Sequence, residues 1–216
     1  MTALLVAGAA LLGLLCGFGV ARLAAAFPWG EPERTDGVRP VALVVGTAVL
    51  FGLTAWRFGV VWELPAYLVL AVVAVLLTVI DLRHRLLPNR VVLPAIGAGA
   101  VLLTVAAALE DGWPDLLRAG VAAVALFAVF LVLALISPRS LGMGDVKLAA
   151  LVGLYQGWLS WGAVIVGAAA GFVVQALVAL LLLAARRIGL RGELPFGPAM
   201  LAGALLAIGW SSLLVR

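Results

Sequence analysis

Long unbroken apolar runs constrain this chain more than any other feature. Those at about 3–26, 61–80, 91–109, 116–136 and 158–185 approach or exceed the roughly 18–20 residues that carry a helix across a bilayer. Shorter runs lie at about 41–56, after Asp145 to about Gln156, and at 199–214. The runs are continuous rather than alternating, which argues against a β-barrel. With 66% of its 216 residues hydrophobic and only 11% charged, the chain has little mass to place outside lipid. The expectation is an all-α, polytopic membrane protein of about eight transmembrane helices in one domain, 1–216. The span after Asp145 is short enough to be re-entrant.

The first run ends in Ala24-Ala25-Ala26, which looks like a signal-peptidase site. No Lys or Arg precedes that run, and it exceeds the usual 7–15-residue signal core. A retained transmembrane helix is expected. Cys16 is the single cysteine and His84 the single histidine. No disulfide, CxxC pair or histidine-rich metal site is expected, and no cofactor is implied.

The polar segments divide by charge. On an eight-span reading the loops around 27–40, 81–90, 137–147 and 186–198 share one side, and with Arg22 they carry eleven of the fourteen basic residues. Basic loops stay in the cytoplasm. Asp81 and Asp145 are therefore expected on the cytoplasmic face of the membrane, with both termini outside. Six tryptophans (Trp56, Trp62, Trp113, Trp158, Trp161 and Trp210) fall near the opposite face, as an interfacial belt would. The net charge of +4 suits such basic loops; no basic and aromatic patch points to nucleic acid.

Eight of the ten acidic residues have bland readings. Glu31, Glu33, Asp36, Glu63, Glu110, Asp111 and Asp115 read as solvated loop charges, and Glu193 as the partner of an arginine. Asp81 and Asp145 remain, each at the junction of a span and a basic loop. A carboxylate at the edge of lipid is costly and needs a reason. Two carboxylates in a poorly solvated site share a proton, since two like charges in contact do not both ionise cheaply. One then activates water, and the other donates to the scissile carbonyl of a peptide. Gly142 and Gly144 would let backbone approach closely beside Asp145. Asp145 as a helix N-cap and Asp81 as a solvated partner of Arg83 or Arg85 are the alternatives. Lys147 and the basic residues 83–85 read as snorkelling or topology charges, and Pro195-Phe-Gly-Pro198 as a turn before a helix.

The residues Gly142-Met-Gly-Asp145-Val-Lys147 resemble the GxGD signature of the prepilin peptidases, the type IV leader peptidases. Asp81-Leu-Arg-His-Arg-Leu-Leu-Pro88-Asn89 resembles the other aspartate motif of that family, and Pro195-Phe-Gly197-Pro198 its C-terminal proline–glycine motif. The three occur in the family's order on one expected face, within about 60–210. The resemblance implies an aspartic endopeptidase with Asp81 and Asp145 as its pair. It also implies cleavage of basic leaders from prepilins or pseudopilins, beside membrane lipid at the cytoplasmic face. Bifunctional members carry a longer first cytoplasmic loop with two CxxC pairs and methylate the new N-terminus. Here that loop has 14 residues and no cysteine, so a peptidase without methyltransferase activity is expected. A transporter or channel is the rival class, since intramembrane acids also mark ion paths; an assembly scaffold is another.

Helix ends differentiate the two acids. Asp81 closes a span, where the helix dipole disfavours negative charge, and Asp145 opens one, where it is favoured. Asp81 is expected to hold the shared proton and Asp145 to be the ionised base.

Overall fold

The computed structural model describes residues 2–27, 40–137, 141–187 and 194–214. Residues 28–39, Arg139 and Glu193, with the loop and pairing roles expected of them, lie outside the described residues. The fold is all-helical. In chain order the helices are α1 (Thr2–Ala25), α2 (Pro40–Phe58), α3 (Leu64–His84), α4 (Asn89–Glu110), α5 (Trp113–Ile136), α6 (Met143–Leu159), α7 (Trp161–Ala184) and α8 (Gly197–Leu214). The polytopic helical architecture read from the apolar runs is the one observed. Among the described residues six helices, α1 to α5 and α7, are long and apolar enough to cross a membrane.

Of the two remaining helices, α6 and α8, α6 has 17 residues, which at about 1.5 Å per residue falls short of a hydrocarbon core of about 30 Å. It is instead the core of the bundle, with Val146, Leu148, Ala149, Leu151, Tyr155 and Gln156 fully buried. The lipid-facing helices α1 and α7 show the reverse, exposing most of their long apolar side chains.

Small residues draw the helices together in three pairs. A Cβ on Gly13 or Gly17 of α1 would stand 2.7 or 2.6 Å from backbone of α2. Gly153 and Gly157 of α6 press on α5 at Ala122 and Ala119, and Gly203 of α8 presses on Gly171 of α7. Lipid offers no hydrophobic drive between helices, so close backbone approach and dispersion hold such pairs.

The end of the bundle away from Asp81 is more built than its sequence suggests. Trp56, Trp62, Trp113, Trp161 and Trp210 are exposed there, as a belt requires, but Trp158 is buried under Gly112. Arg118 of α5 ends α6. Its Nε donates to the carbonyl of Gly157 at 2.6 Å, and its Nη2 donates to those of Trp158 and Leu159. Asp115 pairs with it at 2.7 Å. Glu63 departs from the solvated reading too: its Oε2 is buried with no hydrogen-bond partner among the described residues.

Candidate active site

Asp81 lies in the last turn of α3 and is 5% exposed. Its carbonyl accepts from the amide of Arg85 at 2.8 Å, and Arg85 turns the chain out of the helix at φ 50°. The chain then runs through Leu87 and Pro88, both buried, into α4 at Asn89. Asp81 is thus no solvated partner of a loop arginine. Its Oδ2 accepts from the backbone N–H of Gly197 at 3.1 Å, in a buried bond.

Gly197 is the first residue of α8, with Pro198 beside it. That first position suits a proline, whose missing N–H has no helical partner to lose. The preceding Phe196 is buried and anchors the motif in a ring cluster, 5.9 Å from Phe130 and 5.0 Å from Phe172 between centroids. Pro195 is half-buried ahead of it. Pro195-Phe-Gly-Pro198 is therefore more than a turn, since it brings a helix N-terminus onto the carboxylate of Asp81. The disfavouring dipole at the end of α3 is met by a favouring one at the start of α8. This changes the balance expected from the end of α3 alone.

Asp145 sits in the first turn of α6, half-exposed. Its Oδ2 accepts from the N–H of Gly142 at 3.0 Å, and the Gly142 carbonyl accepts from the amides of Asp145 and Val146. The N-cap is Gly142 and not Asp145; Asp145 is the third helical residue, and one of its carboxylate oxygens reaches back to the N-cap amide. Two residues on, Lys147 Nζ donates to Asn89 Oδ1 at 2.8 Å. Lys147 is thus tied to the first residue of α4, not only snorkelling.

The structure brings all three motif segments together. The charges of Asp81 and Asp145 lie within electrostatic reach of each other. A Cβ on Gly144 would stand 2.9 Å from Leu87 Cβ, and one on Gly197 would stand 2.6 Å from Asp81 Oδ2 and 3.4 Å from Leu87 Cδ2. Leu87, Phe130 and Phe172 are the participants that sequence reasoning missed. Each is an apolar residue in an apolar chain and carries no signal of its own. Among the described residues no cluster of three metal-ligating side chains forms. The chemistry available is that of two carboxyl groups, one buried and one facing outward, at one end of the bundle.

Residues 68–215 match the model of the type IV leader peptidase family. The prepilin leader peptidase/N-methyltransferase of Pseudomonas aeruginosa is 30% identical over 183 residues, covering 83% of this chain and 61% of that protein. The Bacillus subtilis protein of the same name is 34% identical over 182 residues, 81% of this chain and 67% of that one. Leader peptidase HopD of Escherichia coli is 35% identical over 154 residues, 70% of this chain and 96% of HopD. Against the Pseudomonas and Stutzerimonas relatives the match spans only 55–61% of their length. No solved structure matches the chain.

Proposed function

Because this chain belongs to the type IV leader peptidase family, we propose that it is a membrane aspartic endopeptidase acting on prepilins or pseudopilins through Asp81 and Asp145. The observation that supports this is the packing of one apolar residue, Leu87, against both Gly144, which precedes Asp145, and Gly197, whose N–H holds Asp81, although the two aspartates are 64 positions apart in sequence.

In the proposed reaction Asp145, the more exposed carboxylate, is the ionised base and Asp81 holds the shared proton. Asp81 is buried and Asp145 is partly exposed, which supports giving the charged, water-activating role to Asp145. Asp145 takes a proton from water while the water oxygen bonds to the scissile carbonyl carbon. Asp81 gives its proton to the carbonyl oxygen. The gem-diol intermediate then collapses: as the C–N bond breaks, the leaving nitrogen takes the proton from Asp145 and one hydroxyl gives its proton to Asp81 as the carbonyl re-forms, which restores the pair.

The reading extends to place and substrate. The site end of the bundle carries Arg22, Arg83, Arg85, Arg90 and Lys147, which supports a cytoplasmic orientation in the bacterial inner membrane. A substrate helix standing in lipid beside the bundle would present its leader junction at this depth. No methyl transfer is assigned: the 27–40 loop holds no cysteine, and the HopD relative is named as a leader peptidase alone.

The test is cleavage by the purified chain in lipid. The substrate carries a short basic leader ending in Gly before an apolar helix. A product cut after that Gly, unmethylated when S-adenosylmethionine is supplied, is expected. An intact substrate across several pilin-type sequences, with ion or solute flux instead, would overturn the peptidase reading in favour of a transporter.

A further inference from the structure

Leu87 stands where the three motif segments meet, although it belongs to none of their polar positions. It is 7% exposed. On one side it touches Gly144, the residue immediately before Asp145; a Cβ there would stand 2.9 Å from Leu87 Cβ and 3.5 Å from its Cγ and Cδ1. On another it faces Gly197, whose N–H holds Asp81 Oδ2 and whose own Cβ would stand 3.4 Å from Leu87 Cδ2. The contact to Gly144 is backbone-close, so neither partner has slack. Leu87 is also held from behind: the turn at Arg85 and the extended Pro88, at φ −70° and ψ 132°, bound its segment.

We propose that Leu87 is the positioning residue that sets the separation of the two aspartates. Its side chain is the spacer between the glycine that precedes Asp145 and the glycine that holds Asp81. This deepens the peptidase reading and rests on it. Gly144 tolerates no side chain while Leu87 stands against it, because closely packed interiors transmit volume changes rather than absorb them. The Lys147–Asn89 bond closes the same gap on the exposed side. A larger residue at 144 would push the start of α6, with Asp145, away from Leu87. Glycine at 87, which removes the clashing Cβ, would free the room that a methyl group at 144 needs.

The prediction is rescue. Gly144→Ala is expected to lower the cleavage rate about 100-fold, on the scale of an ångström of misplacement in a reacting pair. The double variant Gly144→Ala with Leu87→Gly, which removes the clashing Cβ, is expected to recover to within about 10-fold of the parent. General destabilisation does not predict this, since two cavity- and clash-forming changes would compound. Asp81→Asn and Asp145→Asn run alongside show whether cleavage uses the pair at all.

A second readout is independent of activity. With Cys16 replaced by serine, spin labels on cysteines at the exposed positions Leu86 and Met143 report the gap across the site. Gly144→Ala is expected to lengthen that distance, and added Leu87→Gly to restore it. A double variant no better than Gly144→Ala in rate and unchanged in label distance would overturn the spacer role. A restored distance with no cleavage by any variant, parent included, would keep the spacer and overturn the peptidase reading instead.

Discussion

The backbone amide of Gly197 donates to the carboxylate of Asp81 across 116 positions of sequence, at 3.1 Å and out of solvent. That bond joins the end of α3 to the start of α8 and gives the buried acid a fixed donor. A methyl group on Gly197 would stand 2.6 Å from the same Oδ2, so the bond and the methyl group exclude each other. Gly197→Ala is expected to lower leader cleavage about 100-fold by displacing Asp81. The measurement is the initial rate in lipid, with the melting temperature followed in parallel. Parent-like cleavage would contradict the assignment.

Lys147 and Asn89 make the exposed tie across the same site. Exposed side-chain pairs contribute little to stability, so its value lies in geometry. Lys147→Met and Asn89→Ala are each expected to reduce cleavage about 10-fold with small changes in melting temperature, and the double variant to lose little more than either single one. Additive losses would show that the two side chains act separately.

Arg118 ends α6 by donating to three carbonyls that have no helical partner. Alanine there would strand them, together with Asp115, at the rim of the bundle. A loss on the order of 3 kcal/mol is expected for Arg118→Ala, with lysine recovering only part of it because a point donor does not reach three carbonyls. Unfolding in denaturant checks this. Equal stability of the lysine variant and the parent would contradict the three-carbonyl role.

Glu63 supplies a pH dependence away from the candidate site. Burial raises its carboxyl above the ordinary value of 4.5, and the charges of Glu110 and Asp115 add to the shift. The folded protein keeps this proton at pH values where the unfolded chain has released it. Stability therefore falls as pH rises from the ordinary glutamate value through the raised one. Glu63→Gln removes the cost of the buried charge. It is expected to raise the melting temperature at neutral pH, with the gain vanishing at acid pH, where Glu63 is neutral in both states. A gain independent of pH would point to packing instead of charge.

Much of this was legible in the sequence because lipid leaves few solutions. Apolar runs became helices within a few residues of their expected limits, since backbone polar groups in lipid pair only within helices or closed barrels. Asp81 and Asp145 stood out because an acid at a span end has few reasons to be there. What escaped was the packing between distant segments. Leu87 looks like any other leucine, and its meaning comes from Gly144 and Gly197, each more than fifty residues away. Arg118 reads as one basic residue of the opposite side until the end of α6 is laid against it, and Trp158 as a belt residue until Gly112 covers it. Asp81 was placed at a disfavoured helix end, but the opposing start of α8 depends on the Phe130, Phe172 and Phe196 ring cluster, which no local pattern announces.

The central claim is that Asp81 and Asp145 act as one pair, and single isosteric substitution tests it most directly. Initial rates of leader cleavage would be measured in lipid for the parent, Asp81→Asn and Asp145→Asn, each shown to be folded by its melting transition. Each amide keeps the shape of the side chain but can neither carry the pair's charge nor exchange its proton. Both single variants are expected to lose cleavage by about 1,000-fold or more, within the range of a lost acid–base group. Parent-like cleavage by either folded variant would contradict the paired-carboxylate account.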